Sequence, residues 1–258
     1  MELSIDSVGL QSSIAVSEAG RPIVEISWRT GRRHTPSLVP TIDAAMRRAG
    51  AERGDLTAVF VDVGPGAYGG IRAGMAAATG VALGLGLPAL GVGRLEIEAY
   101  AHAAAGAVVA VHAAGRRQWA VARYAGPGPD WREVAGPGLV AVEALGTTLQ
   151  AGGAAVCCGE VEALPEEVAA ALRSSGWTLA TGAATMRRAG LLAELGWRRL
   201  ELARARSVDM HPSGLEPIYL RAPAIGPQPG QARSSPKEPA AESMAEDART
   251  QAMKEIRR

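Results

Sequence analysis

The segment that most constrains the fold of this chain is a strand that runs into a glycine-rich turn and then directly into a helix. Ala58–Val63 is a continuous apolar run broken only by Asp62, and the sequence GPGAYGG follows it at residues 64–70. A helix is predicted from Ile71 onward. Strands that are apolar along their whole length are typical of parallel sheets covered by helices on both faces. The junction therefore predicts an α/β protein.

The segments around this junction predict a strand-rich opening followed by alternating helices and strands. Three β-type runs separated by tight turns come first: Leu3–Asp6, Ser12–Glu18 and Ile23–Trp28. Thr35 as N-cap and Pro36 at the first helical position begin a helix that ends before Gly50. After the glycine-rich helix, a strand is predicted at Ala89–Val92 and a helix at Arg94–Ala105. The order β-β-β-α-β-α-β-α is similar to half of an actin-like fold.

The second half of the chain again begins with paired strands. Strands are predicted at Val108–His112, Gln118–Tyr124, Trp131–Val134 and Ala155–Cys158, with loops at 126–129 and 136–138 and a last extended segment at Pro217–Arg221. Helices are predicted at Val140–Ala151, Glu166–Ser174 and Ala183–Ala203. We therefore expect an α/β protein with an actin-like (ASKHA, ribonuclease H-like) two-domain fold, in which helices flank mixed sheets. The domains are placed at residues 1–106 and 107–222.

The last part of the chain has a different composition. From Ala224 onward it contains Pro, Gln, Ser and mixed charges but no Leu, Val or aromatic residue. A segment that buries so little apolar area cannot offset the entropy lost on ordering. Residues 223–258 are therefore predicted to be a disordered tail.

Composition and charge exclude several classes of protein. A formal net charge of +1 excludes a protein that coats polyanions. Cys157 and Cys158 are adjacent, which disfavours a disulfide scaffold or a zinc site and fits a reducing compartment. The N-terminus has no basic region, and Ile71–Leu90, which contains Arg72 and four glycines, is too weakly apolar for a membrane span. We expect a cytoplasmic protein without membrane contact.

The glycine-rich turn leaves two interpretations open. It lacks the Lys-Ser/Thr pair of a P-loop, and it follows the fourth predicted strand rather than the first. Its backbone N–H groups could cradle an anion, or its glycines could serve a tight strand-to-helix turn that needs positive φ angles. The candidate residues are Gly64, Pro65, Gly66, Ala67, Tyr68, Gly69, Gly70 and Arg72.

The sequence offers one acidic residue where an actin-like ATPase would need two. Asp6 ends the first strand, at the position where such ATPases keep an acidic group near the nucleotide phosphates. The corresponding position in the second half holds His112. A single carboxylate leaves magnesium–phosphate chemistry poorly supported, so Asp6 is interpreted as vestigial. The four His residues are not spaced as a metal pair on a helix. No catalytic residue, metal or cofactor is predicted.

The helix after the glycine-rich turn carries small residues at a spacing of four. Gly70, Gly74 and Ala78 would let another helix approach closely. That helix could belong to the protein's own core, but we favour a partner protein, with apolar side chains added from the helix at 36–49. The predicted partner interface comprises His34, Leu38, Ile42, Met46, Gly70, Gly74 and Ala78. The Arg-Arg pairs along the chain are interpreted as solvated helix ends, with an auxiliary nucleic-acid contact as the alternative.

Several segments together resemble the TsaB (YeaZ) family of bacterial tRNA threonylcarbamoyladenosine biosynthesis proteins. LSIDSVGLQSSIAV is similar to its first hairpin, HTPSLVPTIDAAMRRAG to its HSExLLPxI helix and PIYLR to its final PxYLR. VGPGAYGGIRAGMAAATGVALGLGLPALGVGRLE resembles its signature GPGSFTGLRIGxxxAKGLAxGxxxPxxGVSSLE. The resemblance covers roughly residues 1–222. Ala67 and Gly69 replace the Ser and Thr of the family's loop, so any hydroxyl contribution there is lost.

The resemblance implies a non-catalytic subunit with an actin-like fold. Members of the family pair with the paralogue TsaD, which holds the metal and transfers a threonylcarbamoyl group to the adenosine beside the anticodon. An ATPase, TsaE, binds the pair, and tRNA is met only as part of the complex. The isolated chain is expected to be a monomer or a homodimer. The alternatives are an actin-like ATPase or sugar kinase acting alone and an anion- or nucleotide-binding regulator.

Overall fold

Ten strands form two sheets in the computed structural model of the chain, which describes residues 1–30, 35–151 and 156–220. The strands of the first sheet are β1 Glu2–Asp6, β2 Gln11–Glu18, β3 Arg21–Arg29, β4 Ala58–Asp62 and β5 Ala89–Val92. Those of the second sheet are β6 Ala107–Ala113, β7 Gln118–Ala125, β8 Arg132–Ala141, β9 Val156–Gly159 and β10 Thr178–Leu179.

The two sheets repeat one topology. The strand order is β3-β2-β1-β4-β5 in the first sheet and β8-β7-β6-β9-β10 in the second. In both, the first three strands along the chain form an antiparallel meander, and the last two extend the sheet in parallel with its first strand. The duplication lies in the topology, since no short repeat is visible in the sequence. Two such mixed sheets flanked by helices confirm the expected actin-like fold.

Six α-helices form layers around the sheets. They are α1 Thr35–Ala49, α2 Tyr68–Leu85, α3 Arg94–Tyr100, α4 Val142–Gln150, α5 Glu166–Ser174 and α6 Ala189–Ala205. Buried residues of α1 and α2 pack on one face of the first sheet, and those of α4 and α5 pack on one face of the second. Helices α3 and α6 share a core with residues of both sheets. The central strands β1 and β4 are therefore buried along their whole length.

Helix α6 returns from the second half of the chain to the first sheet. It contacts β1, β2 and β3, and the absence of a side chain at Gly196 makes room for the ring of Phe60. At the turn between β2 and β3, Gly20 lies directly against Trp197 of the same helix. The inner face of the first sheet is thus covered by an element made late in the chain. The domain boundary placed near residue 106 stays a prediction.

Several elements differ from the sequence-based expectation, among them α2, which begins at Tyr68 rather than Ile71. Strand β8 continues through 136–138, which the sequence predicted to be a loop, because an edge strand tolerates proline and glycine. Helix α3 ends at Tyr100 rather than Ala105, and α6 begins at Ala189 rather than Ala183. The short strand β10 was not predicted. The predicted tail and the predicted interface residue His34 lie outside the described residues. Within the described ranges, no helix has the length and apolarity needed to cross a membrane.

Candidate functional site

A cleft of about 1140 Å³ contains the ends of the first strands of both sheets. Its lining comes from both halves of the chain: the β1–β2 turn, β3 and the glycine-rich turn on one side, and residues after β6, β9 and β10 on the other. The lining residues used below are Gly9, Gln11, Ala67, Gly69, Arg94, His112, Glu160 and Arg187. The sequence predicted Asp6 at this place, with His112 at the position of a second acidic residue.

Asp6, the predicted vestigial acid, is bound by an arginine from the opposite half of the chain. Nε of Arg187 donates to Oδ2 of Asp6 at 2.9 Å, and both side chains are buried. Nη2 of Arg187 also donates to the backbone oxygens of Val8 and Gln11, the latter at 3.0 Å. The side chain of Gln11 donates back to the carbonyl oxygen of Arg187 at 3.0 Å. The β1–β2 turn is therefore fastened to the segment that leads into α6.

The same guanidinium lies close to two further buried carboxylates. Nε of Arg187 is 4.0 Å from Oδ2 of Asp62, and its Nη1 is 3.6 Å from Oε1 of Glu98. Burial and the nearby charge of Asp6 raise the pKa of Asp62 well above its ordinary value. Burial lowers the pKa of Arg187, but the surrounding carboxylates raise it by more. Arg187 thus acts as an internal cation among three buried acids, and it stays protonated.

A second arginine links the two halves on the other side of the cleft. Arg94, at the start of α3, donates from Nε to Glu98 at 2.8 Å and from Nη2 to Glu160 at 2.9 Å. Nδ1 of His112 is 2.9 Å from Oε1 of Glu160 and 3.1 Å from Nη1 of Arg94. The backbone N–H of Ala113 donates to Glu160 at 3.0 Å. Burial alone would raise the pKa of Glu160, but these partners lower it to about 2.

The two arginines therefore bind the acids Asp6, Glu98 and Glu160. Each arginine makes two or more hydrogen bonds to oxygens, and each joins residues of the first half to residues of the second. Within the described residues, no group of three or more His, Cys, Asp or Glu side chains is placed to hold a metal ion. The arrangement neutralises buried acids and closes the two halves together.

Sequence reasoning missed most of this network. Arg94, Glu98 and Glu160 were not singled out, because they are far apart in the chain and no motif joins them. Arg187 was interpreted with Arg188 as a solvated helix end, which is wrong, since its side chain is buried against Asp6. One signal was available for Glu160. It directly follows a strand that runs parallel to β6, and the carboxyl ends of parallel strands meet at one edge of a sheet. The spacing of Arg94 and Glu98 also fits a helical ion pair.

The glycine-rich turn packs tightly against the protein's own β1–β2 turn. A Cβ at Gly66 would overlap the side chain of Val8, and one at Gly70 would overlap the carbonyl oxygen of Ser7. Gly64 has a positive φ of 97° and donates its N–H to Asp62 at 2.8 Å. Gly64, Gly66 and Gly70 therefore have a steric reason to be glycine, which favours the tight-turn interpretation, whereas a Cβ at Gly69 would meet nothing within 4 Å. Pro65 is buried beside them, while Ala67, Tyr68, Gly69 and Arg72 are exposed.

The predicted partner interface needs correction. Gly70 and Gly74 face Ser7 inside the protein, and Ala78 is also buried. Leu38 and Met46 belong to the core beneath α1, and Ile42 is half-buried beside them. Gly70, Gly74, Ala78 and Leu38 belong to the core and do not form an outer surface, whereas Ile42 and Met46 line a groove between α1 and α2. The small-residue spacing is present, but this row faces inward, where it packs on Ser7 and on the core of the first sheet.

Helix α2 carries a second row of small residues, and this row is exposed. Its members, four residues apart, are Tyr68, Arg72, Ala76, Gly80 and Gly84. A Cβ at Gly80 or Gly84 would meet nothing within 4 Å. Beside the row lies a groove of about 750 Å³ between α1 and α2. We call this surface the α1–α2 face; it also includes the exposed side chains of Val39, Asp43, Arg47, Leu83 and Leu85.

Comparisons with known proteins point to one family. The family described as TsaD, tRNA N6-adenosine threonylcarbamoyltransferase, matches residues 28–179, which is more than half of the chain. A tRNA N6-adenosine threonylcarbamoyltransferase of Jannaschia sp. is 38% identical over 96 residues, which is 35% of this chain and 26% of that protein. The uncharacterized protein Rv3421c of Mycobacterium tuberculosis is 39% identical over 93 residues, 36% of this chain and 43% of that protein. The chain thus spans less than half the length of these relatives.

Two solved structures from Pseudomonas aeruginosa have the same fold as this chain. One is YeaZ, with a TM-score of 0.66 and 19% identity over 84% of this chain and 99% of that one. The other is an uncharacterized protein with similarity to peptidase YEAZ, with a TM-score of 0.67 and 22% identity over 85% of this chain and 99% of that one. The fold likeness therefore extends over most of the chain, beyond the segments that align by sequence.

Proposed function

The chain belongs to the TsaD family of tRNA N6-adenosine threonylcarbamoyltransferases, and we propose that it is a non-catalytic partner subunit of the TsaB (YeaZ) type. In this proposal it pairs with the catalytic paralogue TsaD and activates it for forming N6-threonylcarbamoyladenosine beside the anticodon. TsaE binds the pair, and tRNA is met only as part of the complex. The YeaZ-like fold over 84% of the chain supports the assignment to this type.

The observation that carries the proposal is the contact between Arg187 and Asp6. A carboxylate at the end of the first strand serves magnesium–nucleotide chemistry only when it is free to bind a cation or its water ligands. Here Asp6 is buried against a guanidinium from the other half of the chain, and Asp62 lies next to the same group. His112 stands where a second acid would be needed, and it contacts Glu160. These contacts support a scaffold role over an ATPase or kinase acting alone.

The α1–α2 face is the surface we assign to the partner. Its row of small residues allows a helix of the partner to approach closely, and the exposed Val39 and Leu83 beside it supply apolar area. An isolated chain could use the same face for a homodimer. In that case homodimer and heterodimer would compete.

Reconstitution with TsaD from the same organism tests the proposal. Pure chain alone should release no phosphate from ATP and modify no tRNA, whereas adding it to TsaD, TsaE and the activated threonylcarbamoyl donor should raise the rate of tRNA modification. Co-purification and size-exclusion chromatography should show a stable pair. Steady ATP hydrolysis by the pure chain that is abolished by Asp6→Ala would instead favour the ATPase alternative.

A matched pair of variants tests the assigned surface. Gly84→Arg places a long side chain on the α1–α2 face, where there is open space, so the fold should be retained and the pair with TsaD should weaken at least tenfold. Ala170→Arg makes the same kind of change on the exposed side of α5 and should leave binding unchanged. Circular dichroism and melting temperature check folding. Equal binding by both variants would place the partner elsewhere.

A further inference from the structure

The two exposed aromatic side chains of this protein contact each other. The chain has ten aromatic residues, and among them only Tyr68 and Tyr219 are exposed, by 43% and 36%. Their ring centroids are 5.3 Å apart, with an angle of 36° between the planes. The two residues are far apart in the sequence. One lies in the first turn of α2 and the other in the segment after α6. Such a meeting of exposed rings needs an explanation, because the other aromatic rings are buried or half-buried.

Arg72 completes the cluster. Its guanidinium carbon lies 5.2 Å from the ring centroid of Tyr68, and its Nη1 donates to the hydroxyl oxygen of Tyr68 at 3.0 Å. Arg72 is exposed, and no carboxylate of the described residues forms an ion pair with it. The cluster therefore presents aromatic surface together with a cation that has no acidic partner in the described part of the chain.

The cluster is held in place before any partner arrives. The N–H of Ile218 donates to the carbonyl oxygen of Val63 at 2.8 Å, and its side chain packs on the core beneath α2. This fixes the backbone beside Tyr219. Tyr68 and Arg72 are fixed by the helix itself, on which they lie one turn apart. Side chains that are already ordered lose little entropy on binding, and tyrosine and arginine are the residues enriched at the energetic centres of interfaces.

The position of the cluster indicates what it binds. Tyr68 and Arg72 are the first two members of the exposed row on α2, which continues through the small residues of the α1–α2 face. A partner helix lying along the small residues would reach the cluster at the start of α2. We propose that Tyr68, Arg72 and Tyr219 form the anchor of the partner interface, and that the partner protein places an acidic side chain on Arg72 and an apolar side chain on the tyrosine rings. The inference rests on the proposed function, and it adds the segment around Tyr219 to the interface.

Binding measurements with TsaD from the same organism test this anchor. Tyr219→Ala should weaken the complex about tenfold or more, and Tyr219→Phe, which keeps the ring, should bind more tightly than Tyr219→Ala. Arg72→Glu should also weaken it about tenfold, because it would repel the partner's acidic group. Leu202→Ala removes an exposed apolar side chain from α6, outside this surface, and serves as the control with unchanged affinity.

The outcomes separate this inference from the proposed function. A wild-type complex that forms normally and is weakened less than twofold by both Tyr219→Ala and Arg72→Glu overturns the anchor alone. The same holds if these variants bind TsaD normally but the complex retains tRNA less well, since the cluster would then contact RNA. Failure of the wild-type chain to bind TsaD at all would overturn the proposed function and the anchor together. Melting temperatures close to wild type are expected, because all three side chains are at the surface.

Discussion

The two halves of the molecule share one sheet topology but use the turn after their first strand differently. In the first half Ser7 and Val8 of the β1–β2 turn are buried against α2 and the glycine-rich turn, Leu10 is exposed, and Asp6 beside them is bound by Arg187. In the second half the β6–β7 turn is exposed, and His112 before it shares Glu160 with Arg94. The comparison teaches that equivalent turns of one topology can be bound by different internal contacts, a buried arginine in the first half and a shared glutamate in the second.

Removing the internal cation Arg187 should have the largest effect on the stability of either half. Arg187→Met would remove the cation beside Asp6, Asp62 and Glu98, of which only Glu98 keeps an arginine partner, Arg94. Breaking a buried pair from one side costs about 3–5 kcal/mol of unfolding free energy. Urea denaturation measures the loss. Adding Asp6→Asn should recover part of it, because one of the uncompensated charges disappears. A loss below about 1 kcal/mol for Arg187→Met would show that the first half does not depend on this contact.

A substitution where α2 packs on the β1–β2 turn should have the next largest effect on stability. Gly70→Ala places a methyl group against the backbone oxygen of Ser7, which cannot move aside, so unfolding free energy should fall by about 1–3 kcal/mol. Gly80→Ala, on the exposed row of the same helix, should instead raise stability by about 0.5–1 kcal/mol, since alanine favours the helix. Thermal melting of the two variants measures the contrast. Equal shifts would mean that α2 is not packed on the turn as described.

Acid titration tests the ion pairs of Glu160 in the second half. The folded-state pKa of Glu160 is lowered to about 2 from an ordinary value of 4.5, so its contribution is complete above about pH 5 and is lost as the pH falls toward 2. Its side chain is about one third exposed, which reduces that contribution to about 1 kcal/mol. In urea denaturation at pH 6, the free energy of unfolding of wild type should exceed that of Glu160→Gln by this amount. The difference between the two proteins should close by pH 2. A gap independent of pH would argue against the ion pairs.

A substitution in the exposed β6–β7 turn should have the smallest effect on stability. Arg116 has a positive φ of 51°, a conformation that glycine adopts without strain. Arg116→Gly should therefore leave stability unchanged or raise it by about 0.5 kcal/mol in urea denaturation. Arg116→Val, a β-branched residue at the same φ, provides the contrast and should lower it. A loss of more than 1 kcal/mol for the glycine variant would mean that Arg116 has a role in binding its surroundings.

Much of the fold could be predicted because it follows from local patterns. The opening meander, the strand before the glycine-rich turn and helix α5 were placed within one or two residues of their observed bounds. Strand β8 was predicted only for its first part, Trp131–Val134, because Gly136 and Pro137 are turn formers, and only its position at the sheet edge makes them tolerable.

The functional surfaces were harder to predict, for two physical reasons. Helix α2 has small residues on both its inner and its outer side, so periodicity alone could not tell which row faces a partner. Gly74 and Gly80 look alike in the sequence, and only the packing of α2 on Ser7 shows that Gly74 points inward. The charged network of the cleft depends on contacts between residues as far apart as Asp6 and Arg187, which no local pattern contains.

The return of helix α6 to the first sheet has a consequence for synthesis on the ribosome. The inner face of β1, β2 and β3 has no cover until α6, which ends at Ala205, has emerged. At the usual elongation speed of about 5–20 residues per second, that sheet waits on the order of ten seconds with apolar side chains exposed. We therefore expect chaperones to bind the exposed sheet of the nascent chain. A chain that ends before α6 is expected to aggregate rather than to fold as a smaller domain.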